Sequence, residues 1–268
     1  MPRDLRNFLW LLKLGALVNL VFFARTLRLT EGPDASAVDL HLVLPAQILF
    51  LVSAYRCLFP NRYGNHAVLH DSLLSSTLVT RVLATFSEVA YIYQFAYVLR
   101  LLNVDGMGWI DFLAGCMVFQ VVLSQLFVWG SILTGRLSLF VYEEAGWAVI
   151  FGANTVASAY LYATAGLPSG PTILLELSLV FGAFYLPWQA IHLRSLAADV
   201  RREGETGPPP PITAELVRAQ LARALHARQP ATDAASWGGW IGLTWMTAYW
   251  ATLIPLWVYV VVRVLAAA

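Results

Sequence analysis

The chain has 268 residues, 59% of them hydrophobic and only 12% charged, with a formal net charge of +1. Soluble domains carry about 25% charged residues, so this is the composition of an integral membrane protein. The near-neutral balance gives no reason to expect nucleic acid. Two separated cysteines in apolar segments, Cys57 and Cys116, do not suggest a disulfide framework or a zinc site. Lys13 is the only lysine, which leaves none late in the chain for a retinal Schiff base.

The opening Met-Pro-Arg-Asp-Leu-Arg followed by apolar Phe8–Ala24 resembles a signal peptide in outline. The apolar run is long, however, and Arg25 follows without a small-x-small cleavage site, so a retained first helix is expected. Six further apolar spans follow: Leu42–Phe59, Leu78–Leu102, Trp109–Thr134, Leu137–Ala165, Thr172–Leu193 and Gly239–Ala266. Each is near the ~20 residues that cross a bilayer. The pattern predicts an all-α, polytopic integral membrane bundle of about seven transmembrane helices, forming a single domain over residues 1–268. Ala67 to Thr77 is also helix-compatible and would extend the third span or lie along the membrane surface.

The one long connection, residues 195–237, contains the proline run Pro208 to Pro211, a stiff extended break. Residues 213–228 then place Leu216, Val217, Leu221 and Leu225 on one helical face and Arg218, Arg223 and Arg228 elsewhere. This pattern reads as a basic amphipathic helix lying on the inner leaflet, a solvated loop helix being the alternative. No internal repeat occurs at half length, which weakens a duplicated transporter architecture. An odd number of spans puts the termini on opposite faces. The N-terminus and the second, fourth and sixth loops hold Arg3, Arg6, Arg62, Arg136, Arg201, Arg202, Arg218, Arg223 and Arg228, against Arg25, Arg28 and Arg100 on the other side. The positive-inside rule therefore places the N-terminus in the cytoplasm and the C-terminus opposite.

Two adjacent carboxylates, Glu143 and Glu144, interrupt the fifth span. A charged side chain in hydrocarbon costs a few kcal/mol or more, so such residues face a protein interior. Neighbours on a helix point about 100° apart, so the two do not share one narrow stripe. With the termini oriented as above, the third span brings Arg81, Thr85 and Glu88 to a similar depth at i, i+4, i+7 spacing. Gln120, Gln125 and Trp129 of the fourth span, Trp188, Gln189 and His192 of the sixth, and Trp237, Trp240, Trp245 and Tyr249 of the seventh approach the same membrane half. The outer half holds fewer polar groups, chiefly Asn19, Gln47, Asn154 and Glu176.

Plainer readings exist for most of these. Arg56, Arg62 and Arg81 could snorkel to the headgroups, and the Trp and Tyr residues could form an interfacial belt. Gln120 and Gln125 could be interhelical glue, and Arg81 with Glu88 a structural ion pair. His192 has no second helix-spaced histidine, so neither haem nor a metal is called for, and no cofactor is expected. The vicinal glutamates are hardest to explain structurally, because one partner does not obviously satisfy both. Close carboxylates in low dielectric do not both ionise, so one holds a proton that can be delivered to a double bond.

Val141-Tyr142-Glu143-Glu144 is similar to the double-glutamate motif of the integral-membrane lycopene cyclases, which have about this size and helix count; no matching Trp-Asp-Asn element accompanies it. The likeness implies a carboxylate that protonates an apolar polyene. There is no Asp-rich prenyl-diphosphate motif, no histidine box, no nucleotide-binding glycine loop and no Pro-Gln pair of the sugar-transporter type.

The first expectation is a membrane-embedded enzyme acting by acid–base catalysis on an apolar lipid or isoprenoid substrate that enters from the membrane. Glu143 or Glu144 is the proton donor, with Glu88 as partner carboxylate held charged by Arg81. Gln125, Gln189 and His192 order the polar end of the site, and Trp147, Trp245 and Tyr249 shape its apolar part. The alternatives are a proton-coupled transporter or channel, with Glu88, Glu143 and Glu144 relaying outward through Asn154 and Glu176, and a non-catalytic subunit of a membrane complex. The oligomeric state stays open.

Overall fold

A computed structural model describes residues 3–32, 35–205 and 209–266. Those residues are almost wholly helical, and six of the helices are long and apolar enough to cross a membrane. By length and composition this is a multi-pass integral membrane protein. The chain divides into two compact units: residues 1–91 with 222–268, and residues 92–221.

The first unit contains α1 (Arg3–Glu31), α2 (Leu40–Leu58) and the start of α3 (Thr77–Leu102). α1 buries Leu5, Phe8, Leu12, Ala16 and Asn19, at helical spacing, while Trp10, Leu14 and Leu17 are more than half exposed. An exposed apolar stripe of this kind suits lipid rather than water. α2 starts at Asp39, whose carboxylate accepts the His41 backbone N–H at 2.9 Å.

Between α2 and α3 the expected helix over residues 67–77 does not form. Ala67–Val68 is instead strand β2, paired antiparallel with β1 (Asn61–Arg62) and parallel with β3 (Gln229–Pro230), and Leu73–Ser75 is a single 3₁₀ turn. The chain turns into β2 at His66, which has φ 54°, a left-handed conformation histidine tolerates better than most residues. The His66 carbonyl accepts the Gln229 N–H at 2.9 Å, and Arg228 pairs with Asp71 at 2.8 Å. Burial, and then the Arg223 guanidinium, hold the His66 imidazole below its ordinary pKa. The folded state therefore prefers neutral His66, and its contribution is present above the ordinary histidine value near 6.5 and lost as pH falls below it. Thermal unfolding at pH 7.5 and pH 5 should show a loss at acidic pH that is smaller in His66→Asn, a variant that keeps the left-handed turn.

The seventh apolar segment is one span by length but not one regular helix. α8 (Gly239–Met246) passes into a π-helical stretch, Thr247–Ala251, breaks at Thr252 (φ −134°, ψ −78°) and resumes as α9 (Leu253–Val261), with a second π-helical stretch at Val262–Ala266. Pro255 explains the break: it has no N–H for the Ala251 carbonyl, and its ring crowds that carbonyl. The Trp250 carbonyl is taken up by Asn19 Nδ2 of α1 at 2.9 Å, and Cys57 Sγ of α2 lies 3.5 Å from it. α1 approaches this bulge so closely that a Cβ on Gly15 would lie 2.4 Å from Ala251 Cβ and 2.7 Å from its Cα. Because the obstacle is partly backbone, Gly15→Val should lower stability by about 1–3 kcal/mol or more, measured by thermal unfolding in detergent.

The second unit contains the rest of α3, then α4 (Gly108–Thr134), α5 (Ser138–Thr164), α6 (Ser169–Glu205) and the start of α7 (Ala214–His226). α5 is as long as α4 but falls outside the six apolar helices. Its exposed face is nevertheless apolar at seven-residue spacing (Tyr142, Val149, Val156), while Glu143, Asn154 and Ser158 are buried. α6 has 37 residues, about 55 Å, so it outruns a ~30 Å hydrocarbon core. The first eleven residues of the expected 195–237 loop thus continue α6. Of the proline break, Pro208 lies outside the described residues. α7 forms within the expected 213–228 window, with Arg218 and Arg223 exposed, Leu216, Val217 and Leu225 half-buried, and Leu221 exposed.

Candidate functional site

Of the ten residues the sequence singles out, Gln125, Glu143, Glu144, Trp147, Gln189 and His192 belong to the second unit, and Arg81, Glu88, Trp245 and Tyr249 to the first.

In the second unit the two glutamates separate as neighbours on a helix must. Glu143 is buried, 5% exposed. Its backbone carbonyl lies 3.4 Å from Ser124 Oγ of α4. α4 reaches this close because position 146, one turn further along α5, has no side chain. A Cβ there would lie 2.1 Å from Ser124 Oγ and 2.5 Å from Gln120 Nε2. Gln125 and Trp147 are also buried.

Glu144 turns toward α6. Gln189 Nε2 donates to both its backbone carbonyl and its Oε2, each at 2.8 Å, a double grip that fixes the carboxylate's direction. Its other oxygen, Oε1, lies 3.6 Å from His192 Nε2. Gln189 is fully buried, whereas the Glu144 and His192 side chains are 21% and 31% exposed. The pair is thus held from the inside and open on the outside. The reading of His192 as an ordering residue therefore gains a specific partner.

The His192 ring stacks on Trp188 (5.3 Å, 13°), one turn earlier in α6. Trp188 is 6.1 Å from Tyr185, which stacks on Phe181 at 5.1 Å. Both Phe181 and Tyr185 meet Phe151 of α5 at 4.7 and 4.8 Å, and Phe151 continues to Trp147 at 6.1 Å. A continuous series of rings therefore runs from the buried interior of α5 and α6 to the Glu144–His192 pair. Spacings of three and four residues within each helix place successive rings on one face, a signal the sequence carries. Pairing between the helices is not visible in it.

The first unit holds a second polar cluster. Arg81 and Glu88 form a buried ion pair along one face of α3, as their spacing predicts. Tyr249 of the π-helical stretch donates to the Tyr91 hydroxyl at 3.1 Å and meets Trp245 at 5.4 Å. Arg56 does not snorkel: it is 4% exposed and turns into the protein. Its guanidinium donates to Asn61 Oδ1 and lies over the rings of Tyr63 (5.4 Å) and Trp250 (5.2 Å). Arg81 approaches the same Tyr63 ring at 5.8 Å. Asn61 Nδ2 donates to the Ser75 carbonyl at 2.9 Å and Thr80 Oγ1 at 2.6 Å, tying the β1 loop to the start of α3. Asn61 and Tyr63 were not singled out from the sequence, because their partners come from three separate segments.

No protein-family model, curated protein or solved structure matches this chain.

Proposed function

We propose that the chain is a membrane-embedded enzyme using carboxylates for acid–base chemistry on an apolar lipid or isoprenoid substrate, of the isomerase or cyclase kind. The observation that carries this reading is the Glu144–Gln189–His192 constellation: a partly exposed carboxylate and imidazole, oriented by a buried amide, at the end of a series of aromatic rings. Glu144 and His192 pass the proton, Gln189 sets the carboxylate's direction, and Trp147, Phe151, Phe181, Tyr185 and Trp188 shape the apolar part. Aromatic faces also stabilise developing positive charge on a substrate carbon. Buried Glu143 is the reserve carboxylate of the vicinal pair, and Glu88 is the partner carboxylate paired with Arg81. Arginine asymmetry puts the N-terminus on the cytoplasmic side and the C-terminus opposite.

The test is proton transfer itself. Protein in nanodiscs is incubated with a panel of polyenes and unsaturated acyl lipids in heavy water, and the recovered lipids are weighed for deuterium. Incorporation that disappears in Glu144→Gln supports the reading. Unchanged incorporation in both Glu143→Gln and Glu144→Gln would sink it.

A proton-coupled transporter is the second reading, favoured by one observation. Asn154, about 15 Å further along α5, is buried with its Nδ2 bonded to nothing among the described residues, as a polar station along a path could be. Solute uptake into proteoliposomes that ignores an imposed pH gradient would remove it.

A further inference from the structure

The N-terminal half of α1 carries an inference independent of the α5–α6 pair. Arg6, Trp10, Lys13 and Leu17 follow i, i+4, i+7, i+11 spacing, so they form one column along the helix. All four are exposed, Trp10 by 65% and Leu17 by 59%, while Leu5, Phe8, Leu12 and Ala16 take the buried side. Lys13, the only lysine of the chain, stands five residues inside the apolar run that begins at Phe8, about 7.5 Å at the helical rise. An ammonium left at that level among acyl chains is costly, and helical side chains lean toward the N-terminus. Lys13 accordingly folds back: its Nζ lies 5.2 Å from the centre of the Trp10 ring. Arg6 stands one turn beyond Trp10. Neither cation pairs with a carboxylate among the described residues.

A lipid-facing surface of this kind is open from the side, so a ligand reaches it without a cavity. The ammonium and the guanidinium belong to successive levels of the helix, with an indole between them that suits the membrane interface. Leu14, Leu17 and Leu20, all exposed, continue the column deeper into the membrane as a surface for an acyl chain. Two unpaired cations favour a headgroup with net negative charge. The trimethylammonium of phosphatidylcholine would instead meet them with a like charge. We propose that Arg6, Trp10 and Lys13 form a binding surface for an anionic phospholipid, its phosphate between the two cations and one acyl chain along Leu14, Leu17 and Leu20.

The test uses the full chain in phosphatidylcholine nanodiscs doped with photoactivatable phosphatidylglycerol or, in a parallel sample, photoactivatable phosphatidylcholine. Peptide mapping reads how much of each probe attaches to α1 at residues 6–20. One cation beside an anionic headgroup gives about a fivefold preference, so labelling by the phosphatidylglycerol probe should exceed that by phosphatidylcholine roughly 25-fold. The excess should fall about fivefold in Arg6→Gln and in Lys13→Gln, persist in Lys13→Arg, and shrink as salt is raised. Equal labelling by the two probes overturns the proposal, as does an excess that the double variant Arg6→Gln/Lys13→Gln retains in full. Absence of labelling at these residues by either probe shows that protein rather than lipid covers the face, and overturns it too. Should a variant not fold, the two probes on the wild type at low and high salt decide the matter.

Discussion

On the proposed acid–base reading, replacing Glu144 with glutamine is expected to lower the rate of proton transfer to an apolar substrate by about 10²–10⁴-fold while leaving the protein folded. The amide keeps the size of the side chain and retains an oxygen to accept the Gln189 bond, so what is lost is a group able to take up and release a proton. His192→Gln should fall in the same range and alter the pH profile, because the imidazole is a titrating member of the pair. Gln189→Leu removes both grips on Glu144 without removing either titrating group. It should reduce the rate less than Glu144→Gln and leave the shape of the pH profile unchanged, as for a positioning residue. Deuterium incorporation measured for the three variants across pH 5–8 separates these roles. A Glu144→Gln variant as fast as wild type would leave the α5–α6 pair without a catalytic part.

Replacing Asn61 with leucine should destabilise the protein by about 3–5 kcal/mol. Asn61 is 2% exposed and joins three groups: the Arg56 guanidinium, through its side chain and at 3.5 Å through its own carbonyl, the Ser75 carbonyl and Thr80 Oγ1. Leucine fills similar volume but bonds none of the side-chain partners, leaving a buried cation whose side-chain contacts are reduced to two aromatic faces. Those faces contribute roughly 2 kcal/mol or more each when desolvated, less than the several kcal/mol that a buried ion loses with its hydration. Asn61→Asp offers the guanidinium a charged acceptor but forfeits the bond to the Ser75 carbonyl, so it should lie between wild type and Asn61→Leu. Thermal unfolding in detergent at fixed anion concentration makes the comparison. An Asn61→Leu variant within 1 kcal/mol of wild type would show that the cluster does not hold the β1 loop.

Much of the candidate site was legible residue by residue, and little of it as a set of partners. The vicinal glutamates stood out because charge in an apolar span is expensive, and the 100° step between neighbours already implied that they would have different surroundings. One is indeed buried and the other partly exposed. Arg81 and Glu88 followed from their spacing on one helix, and their bond is observed. The sequence did not reveal that Glu144 meets His192 and Gln189, since 45 or more residues separate them and either helix could have turned another face. Nor did it reveal Arg56, whose place at a span end resembles ordinary snorkelling until the β1 loop folds over it.

The sequence by itself determined the class of the protein and nearly all of its helices. Backbone groups in hydrocarbon must bond within their own segment, so apolar runs of this length become helices whatever they pack against. It also determined which side chains are too polar to face lipid. Tertiary structure alone decided two exceptions: the short strands where a helix over residues 67–77 was expected, and the π-helical stretch before Pro255. In both, local propensity permits more than one conformation, and contacts with distant residues select among them. Asn19 takes up the carbonyl at the bulge, and Gln229 pairs with the strand. The same reason separates a list of intramembrane carboxylates from a site: helix geometry assigns each residue to a face, but only packing determines which other residue meets it.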